Sequence, residues 1–189
     1  MVLLLAASPF EDMTEFALDG NVAGIDRASK TYSGQSARVD AALSPGQRGR
    51  LHARIAAIAT ARGVADNAGI AMNAVEAYGI LVEALQPARM EVPVEVARLD
   101  YAGFKLKVLM HGTSKDWPAA RAVSRMASAD WSAIKARVAD RGLQDAMDVA
   151  THGMHQATAS SNAGMASLAA DVDLALVDLL ETHFAAARK

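Results

Sequence analysis

Residues 66–85 and 161–180 of this chain are close to the same stretch written twice. Moving the sequence against itself by 95 residues sets Asn67, Ala68, Gly69, Ala71, Ala74, Leu81, Val82 and Leu85 on identical residues at Asn162, Ala163, Gly164, Ala166, Ala169, Leu176, Val177 and Leu180. That is eight identities in twenty positions, and the character of other positions follows: Glu76 and Glu83 fall on Asp171 and Asp178, and Ile70 falls on Met165. Self-similarity at a fixed offset reads as a tandem duplication, so whatever fold the first half adopts, the second half is expected to adopt again. Gln86-Pro87 and Pro93 bound the linker. The expected organisation is one repeat over 1–86, a linker over 87–93 and a second repeat over 94–189.

Apolar and small residues recur at steps of three and four, alanine dominates them, and β-branched runs are few, which favours helix over sheet. The fold class expected is all-α, with about eight helices in two antiparallel bundles: 9–19, 21–43, 46–62 and 65–86, then 94–112, 116–139, 141–158 and 161–186. Short connections force neighbouring helices to run antiparallel. Ser8-Pro9 supplies a helix start, a capping side chain with proline at the first helical position. The second helix carries Val22, Ile25, Ala28, Tyr32, Ser36, Val39 and Leu43, and 95 residues later the row reads Trp117, Ala120, Val123, Ala127, Trp131, Ile134 and Val138. Each copy thus holds an aromatic residue displaced by one turn, the change expected when core volume is kept and its bulk is moved. In the third helix Leu51, Ile55 and Ile58 match Leu143, Met147 and Ala150 at a shift of 92, with Gly63 in the C′ place. In the fourth, Ile70, Ala74, Ala77, Leu81 and Leu85 are expected inward, as are Met165, Ala169, Val172, Leu176 and Leu180. A close helix crossing is the expected reason for Gly69 and Gly164.

Composition narrows the function classes. At 189 residues and 52% hydrophobic the chain can bury a core. It has no cysteine, which removes disulfides, thiolate metal sites and thiol catalysis together. Its formal charge is −2 and its Lys and Arg are scattered singly, so no nucleic-acid partner is expected, because phosphate binding needs clustered cations. No run approaches the roughly 20 apolar residues of a membrane span. The opening Met1-Val-Leu-Leu-Leu-Ala-Ala-Ser8-Pro9 has two readings: an apolar lead-in to the first helix, which fits the cytoplasm, or the remnant of a signal peptide, which fits the periplasm.

The chain lacks the serine-nucleophile elbow, the phosphate-cradling loop, the dinucleotide fingerprint and the His-Glu-x-x-His pair, so the expected class is a non-enzymatic helical binding or interaction module. Its partner would be another protein or a second copy, with no cofactor required. One alternative is metal binding. Asp148, His152 and His155 stand at i, i+4 and i+7 on one helix face, and a carboxylate with two imidazoles is a first shell for a divalent transition metal, with nearby methionines assisting. The same face lies opposite the core row and also reads as a solvated surface. A second alternative is a small-molecule pocket between the two repeats lined by Tyr101, Phe104, Trp117 and Trp131.

Overall fold

Capping side chains fix where most of the helices begin. Asn21 accepts a hydrogen bond from the Gly24 N–H at 3.0 Å, Asp66 from that of Gly69 at 2.9 Å, and Ser44 forms a reciprocal capping box with Gln47. In the second half Asp116, Asp140 and Asn162 accept from Ala119, Leu143 and Met165 at 2.9, 3.0 and 3.1 Å. Each cap satisfies an N–H that a helix start leaves without a partner. The computed structural model describes residues 2–186; Met1 and residues 187–189 of the expected repeats lie outside them. Among the described residues the chain is all-α, with nine helices: α1 (Val2–Leu18), α2 (Val22–Ser33), α3 (Ser36–Ala42), α4 (Pro45–Gly63), α5 (Asn67–Glu83), α6 (Val94–His111), α7 (Trp117–Ile134), α8 (Arg141–Ala159) and α9 (Ala163–Ala186). Single 3-10 turns occupy Pro87–Arg89 and Lys135–Arg137.

The chain divides into a first unit over residues 1–85 and a second over 86–189. In the first, α1 packs on α5, α2 and α3, and α4 packs on α5. In the second, α6 packs on α9 and α7, and α8 packs on both α9 and α7. The second unit therefore closes a ring of four helices. In the first, α4 lies on α5 more than on α2, and a cleft opens between α2, α3 and α4.

Several elements differ from the sequence expectation, each for a physical reason. Helix α1 does not start at Pro9 but at Val2 and runs through the proline, with Ala6, Ala7 and Pro9 itself in the core. The carbonyl that Pro9 cannot bond belongs to Leu5, an exposed residue, where water can serve it. The single helix expected over 21–43 is broken at Gly34-Gln35 into α2 and α3.

The largest difference is in register. The capping residues Ser44 and Asp140 are 96 positions apart, as are Asp66 and Asn162. Between each of these pairs sits the same turn. Ala65 and Ser161, again 96 apart, both have φ of 55°, and Asp66 and Asn162 donate back to Ala61 and Ala157, each at 2.9 Å. This is a Schellman end with a non-glycine residue at C′, so Gly63 is the last helical residue rather than C′. The starts of α2 and α7 keep the offset of 95, from Asn21 to Asp116. A single residue, not three, thus separates the registers.

On α8 the expected inward residues Met147 and Ala150 are buried, with Met154 and Ala157 on the same row; the expected shift of 92 is corrected to 96, about one helical turn, which keeps the same face inward, and Met147, Met154 and Ala157 stand 96 after Leu51, Ile58 and Ala61. One step along a helix is a rotation of about 100°, and it corrects the row of α9. There the buried residues are Ala166, Ala170, Asp173 and Val177, each 96 after Ile70, Ala74, Ala77 and Leu81. The expected α9 row instead has Met165 and Val172 exposed. Gly69 is explained by its cap, since a Cβ there would strike the Asp66 carboxylate, whereas Gly164 has open space around it.

Candidate functional site

The cleft of the first unit has a volume of about 540 Å³. Its apolar wall comes from Phe10 and Met13 on α1, Ile25 on α2, and Ile55 and Ile58 on α4. Tyr32 of α2 also lines it, its ring tilted at 50° against Phe10 with centroids 4.7 Å apart. The Tyr32 hydroxyl is buried and bonds to no other group. Burial, with the Asp40 charge adding to it, pushes its pKa up to about 12, so it stands as a neutral O–H with both a proton to donate and lone pairs to share. An orphaned buried hydroxyl costs the folded chain free energy unless something pairs with it.

Two hydrogen-bonded side-chain pairs stand among the lining residues. The Arg62 guanidinium donates to Asp26 through two nitrogens, with contacts of 2.9 to 3.1 Å, bridging α4 and α2. The His52 Nε2 lies 2.9 and 3.1 Å from the two Asp40 oxygens, bridging α4 and α3. Ser29, Ser33 and Ser36 complete the polar lining. The hydroxyls of Ser33 and Ser36 donate to backbone carbonyls of Ser29 and Ser33, so neither is set against His52 as a nucleophile would be against its base.

At the corresponding place the second unit has a shallower, more open groove of about 500 Å³. Trp131, 95 residues after Ser36, is buried there, and its indole N–H donates to Asp148 Oδ1 at 2.7 Å. Lys135 Nζ donates to Asp148 Oδ2 at 2.6 Å. Lys135 and Asp148 stand 95 and 96 residues after Asp40 and His52, so the α3–α4 ion pair of the first unit recurs with its charges exchanged. A Ser124–Thr158 hydrogen bond of 2.9 Å lies where Ser29 and Arg62 line the cleft.

This geometry bears on the residues singled out from the sequence. Asp148, His152 and His155 do share one shallow groove, with Trp131 along its floor. Both Asp148 oxygens, however, are engaged, and the hydrogen bonds from Lys135 and Trp131 hold its carboxyl below the usual range. His152 Nε2 pairs with Gln156 at 3.1 Å. Among the described residues no group of three or more His, Cys, Asp or Glu is arranged to hold a metal ion. Of the four aromatics, Tyr101 and Phe104 lie on α6, and Trp117 and Trp131 on α7. Trp131 is a core residue of the second unit, and Trp117 is half-buried. No described helix is long and apolar enough to cross a membrane.

The cleft was not among the sequence expectations. The signal was Ser36 facing Trp131 in the self-alignment: a large residue replaced by a small one opens volume unless the neighbours collapse. Compared with known proteins, the chain matches no family model, no curated protein and no solved structure.

Proposed function

We propose that the chain is a non-enzymatic binding protein, and that the cleft of the first unit is its site for a small molecule. The ligand has a mainly apolar body, no net charge and a hydrogen-bond acceptor that pairs with the Tyr32 hydroxyl. The observation that carries this reading is the unpartnered Tyr32 hydroxyl on the wall of an enclosed, mainly apolar cleft of about 540 Å³; the groove at the matching place of the second unit is shallower, and the Trp131 indole on its floor is already bonded to Asp148. The contrast has meaning if the units derive from one ancestral bundle. Shared caps, shared Schellman ends and the charge-exchanged pair support that descent. The apolar wall supplies affinity, and the polar lining selects orientation, the usual division of labour in small-molecule sites. Asp26 is paired with the Arg62 guanidinium and Asp40 with the His52 ring, which argues against a strongly charged ligand.

An uncharged naphthalene ketone dye, whose emission moves to the blue in apolar surroundings, tests the reading. It should bind the full chain at one site. Ser36→Trp, which installs the plug of the second unit, should abolish the shift. Tyr32→Phe should weaken binding by about threefold to tenfold, the worth of one hydrogen bond. Undiminished binding by a folded Ser36→Trp chain would refute the cleft as the site.

A further inference from the structure

A second surface, on the opposite kind of location, is singled out by the same comparison. In the first unit the outer seam between α4 and α5 is polar and ion-paired: Arg50 to Glu83 at 2.7 Å, Arg54 to Glu76 at 3.8 Å, and Arg54 to Asn73 at 3.2 Å. Ninety-six residues on, these five positions read Ala146, Leu179, Ala150, Val172 and Ala169. Every charged or amide side chain of the seam has become apolar. The result is a face of α9 that meets solvent at Met165, Leu168, Val172 and Leu179, which are 51%, 60%, 39% and 54% exposed. These residues recur at steps of three, four and seven, so they form one row along a helix of 24 residues. A groove beside the row, between α8 and α9, is lined by Leu143, Ala146, Leu176 and Leu179. Isolated exposed apolar residues are ordinary, but a continuous row is the mark of a binding face.

We infer that the α8–α9 face of the second unit docks an amphipathic helix of a partner protein whose apolar row is flanked by Lys and Arg. The groove-and-row shape suits a helix, read at i, i+3, i+4 and i+7. The rim chooses the sign. Asp145 borders the face on α8, and Asp171 and Asp178 border it on α9, while α9 itself carries no Lys or Arg between 163 and 186. Lys107 of α6 neutralises Asp171 at 3.0 Å and leaves Asp145 and Asp178 to set the field. A second copy related by twofold symmetry would bring these acidic rims together, which opposes self-association.

The test uses the full chain and two synthetic helical peptides of about 20 residues, matched in length to α9. Both carry the same leucine row; one is flanked by Lys and the other by Glu. Fluorescence anisotropy should show the Lys-flanked peptide binding at least about tenfold more tightly, with the gap narrowing as salt is raised. Val172→Glu with Leu179→Glu restores the side chains found at positions 76 and 83. This variant should keep its circular dichroism and lose the Lys-flanked peptide even though its negative charge has grown. Asp145→Asn with Asp178→Asn should keep peptide binding and erase the preference between the two. Undiminished binding by the Val172→Glu, Leu179→Glu chain would overturn the inference, since charge alone would then account for the attraction. Equal affinity for both peptides would overturn the choice of a basic partner. A concentration-dependent dimer in light scattering that the same double variant dissolves would replace the partner helix with a second copy.

Discussion

Asp173 is a carboxylic acid sealed inside the second unit, and replacing it with alanine should stabilise that unit. It lies on the core row of α9 with no exposed surface, and neither of its oxygens has a hydrogen-bond partner. It sits against Gly103 of α6, where a Cβ would come within 2.9 Å of its Oδ2. Burial first, and then the charge of Asp100, raise its pKa well above the usual carboxylate range. The nearby cation Lys107 is bound to Asp171 instead. A buried polar group without a partner costs about 1–3 kcal/mol. Ala77 holds the matching position of the first unit, fully buried, so alanine suits that place on the scaffold. Removing the carboxyl leaves a void of roughly 20–25 Å³, which costs about 0.5 kcal/mol. The net gain for Asp173→Ala should be about 1–2 kcal/mol.

The pH dependence has a definite sign. Below about pH 4 both folded and unfolded chains hold the Asp173 proton. As pH rises above that value the unfolded chain releases it while the folded chain keeps it, so the unfolded state binds fewer protons and folding stability falls. The loss approaches about 1.4 kcal/mol per pH unit and ends where the folded group itself ionises. Asp173→Asn cannot ionise, so its stability relative to wild type should be least at pH 4 and grow toward neutrality. Both tryptophans, Trp117 and Trp131, lie on α7, so tryptophan fluorescence in urea follows the second unit alone. Equal slopes against pH for wild type and Asp173→Asn, or a loss of more than about 1 kcal/mol in Asp173→Ala at pH 7, would refute the reasoning.

Two further outcomes follow from the packing. Gly24→Ala should destabilise the first unit by about 1–3 kcal/mol, read by thermal melting, because its Cβ would enter the Phe16 ring that Arg27 covers at 5.7 Å. Asp148→Asn should lower the urea midpoint of the second unit, and the loss relative to wild type should shrink as pH falls. The Asp148 carboxyl titrates below its unfolded value, so its contribution is present above about pH 4 and disappears in acid.

How much of this the sequence could reveal depends on which signals survive divergence. Helix class and the apolar row of α5 are local and were legible. The register of α9 was not, because the Asn-Ala-Gly identity that sets the offset at 95 straddles the cap: the side chain that caps α5 is Asp66, and the one that caps α9 is Asn162. Asp173 deepened the error. A row that must accept an aspartate at its centre scores worse for apolarity than the row beside it, so the Met165 and Val172 face looked like the interior. The cleft was hidden for a related reason. Ser36 and Trp131 align, but pattern alone cannot say whether the neighbours of a small residue collapse onto it; here α4 packs on α5, and they do not.

The two units are complementary in what they leave free. The first unit keeps a polar, ion-paired exterior along α4 and α5 and leaves apolar surface unfilled in its interior, at Met13, Ile25 and Ile55. The second fills its interior with Trp131 and exposes apolar surface along α9. Each exposed or unfilled apolar area lowers stability and solubility unless something covers it. An interior cleft suits a small molecule and a long outer row suits a helix. On the two proposals made above, the units take different kinds of ligand, and loss of one binding activity should leave the other intact.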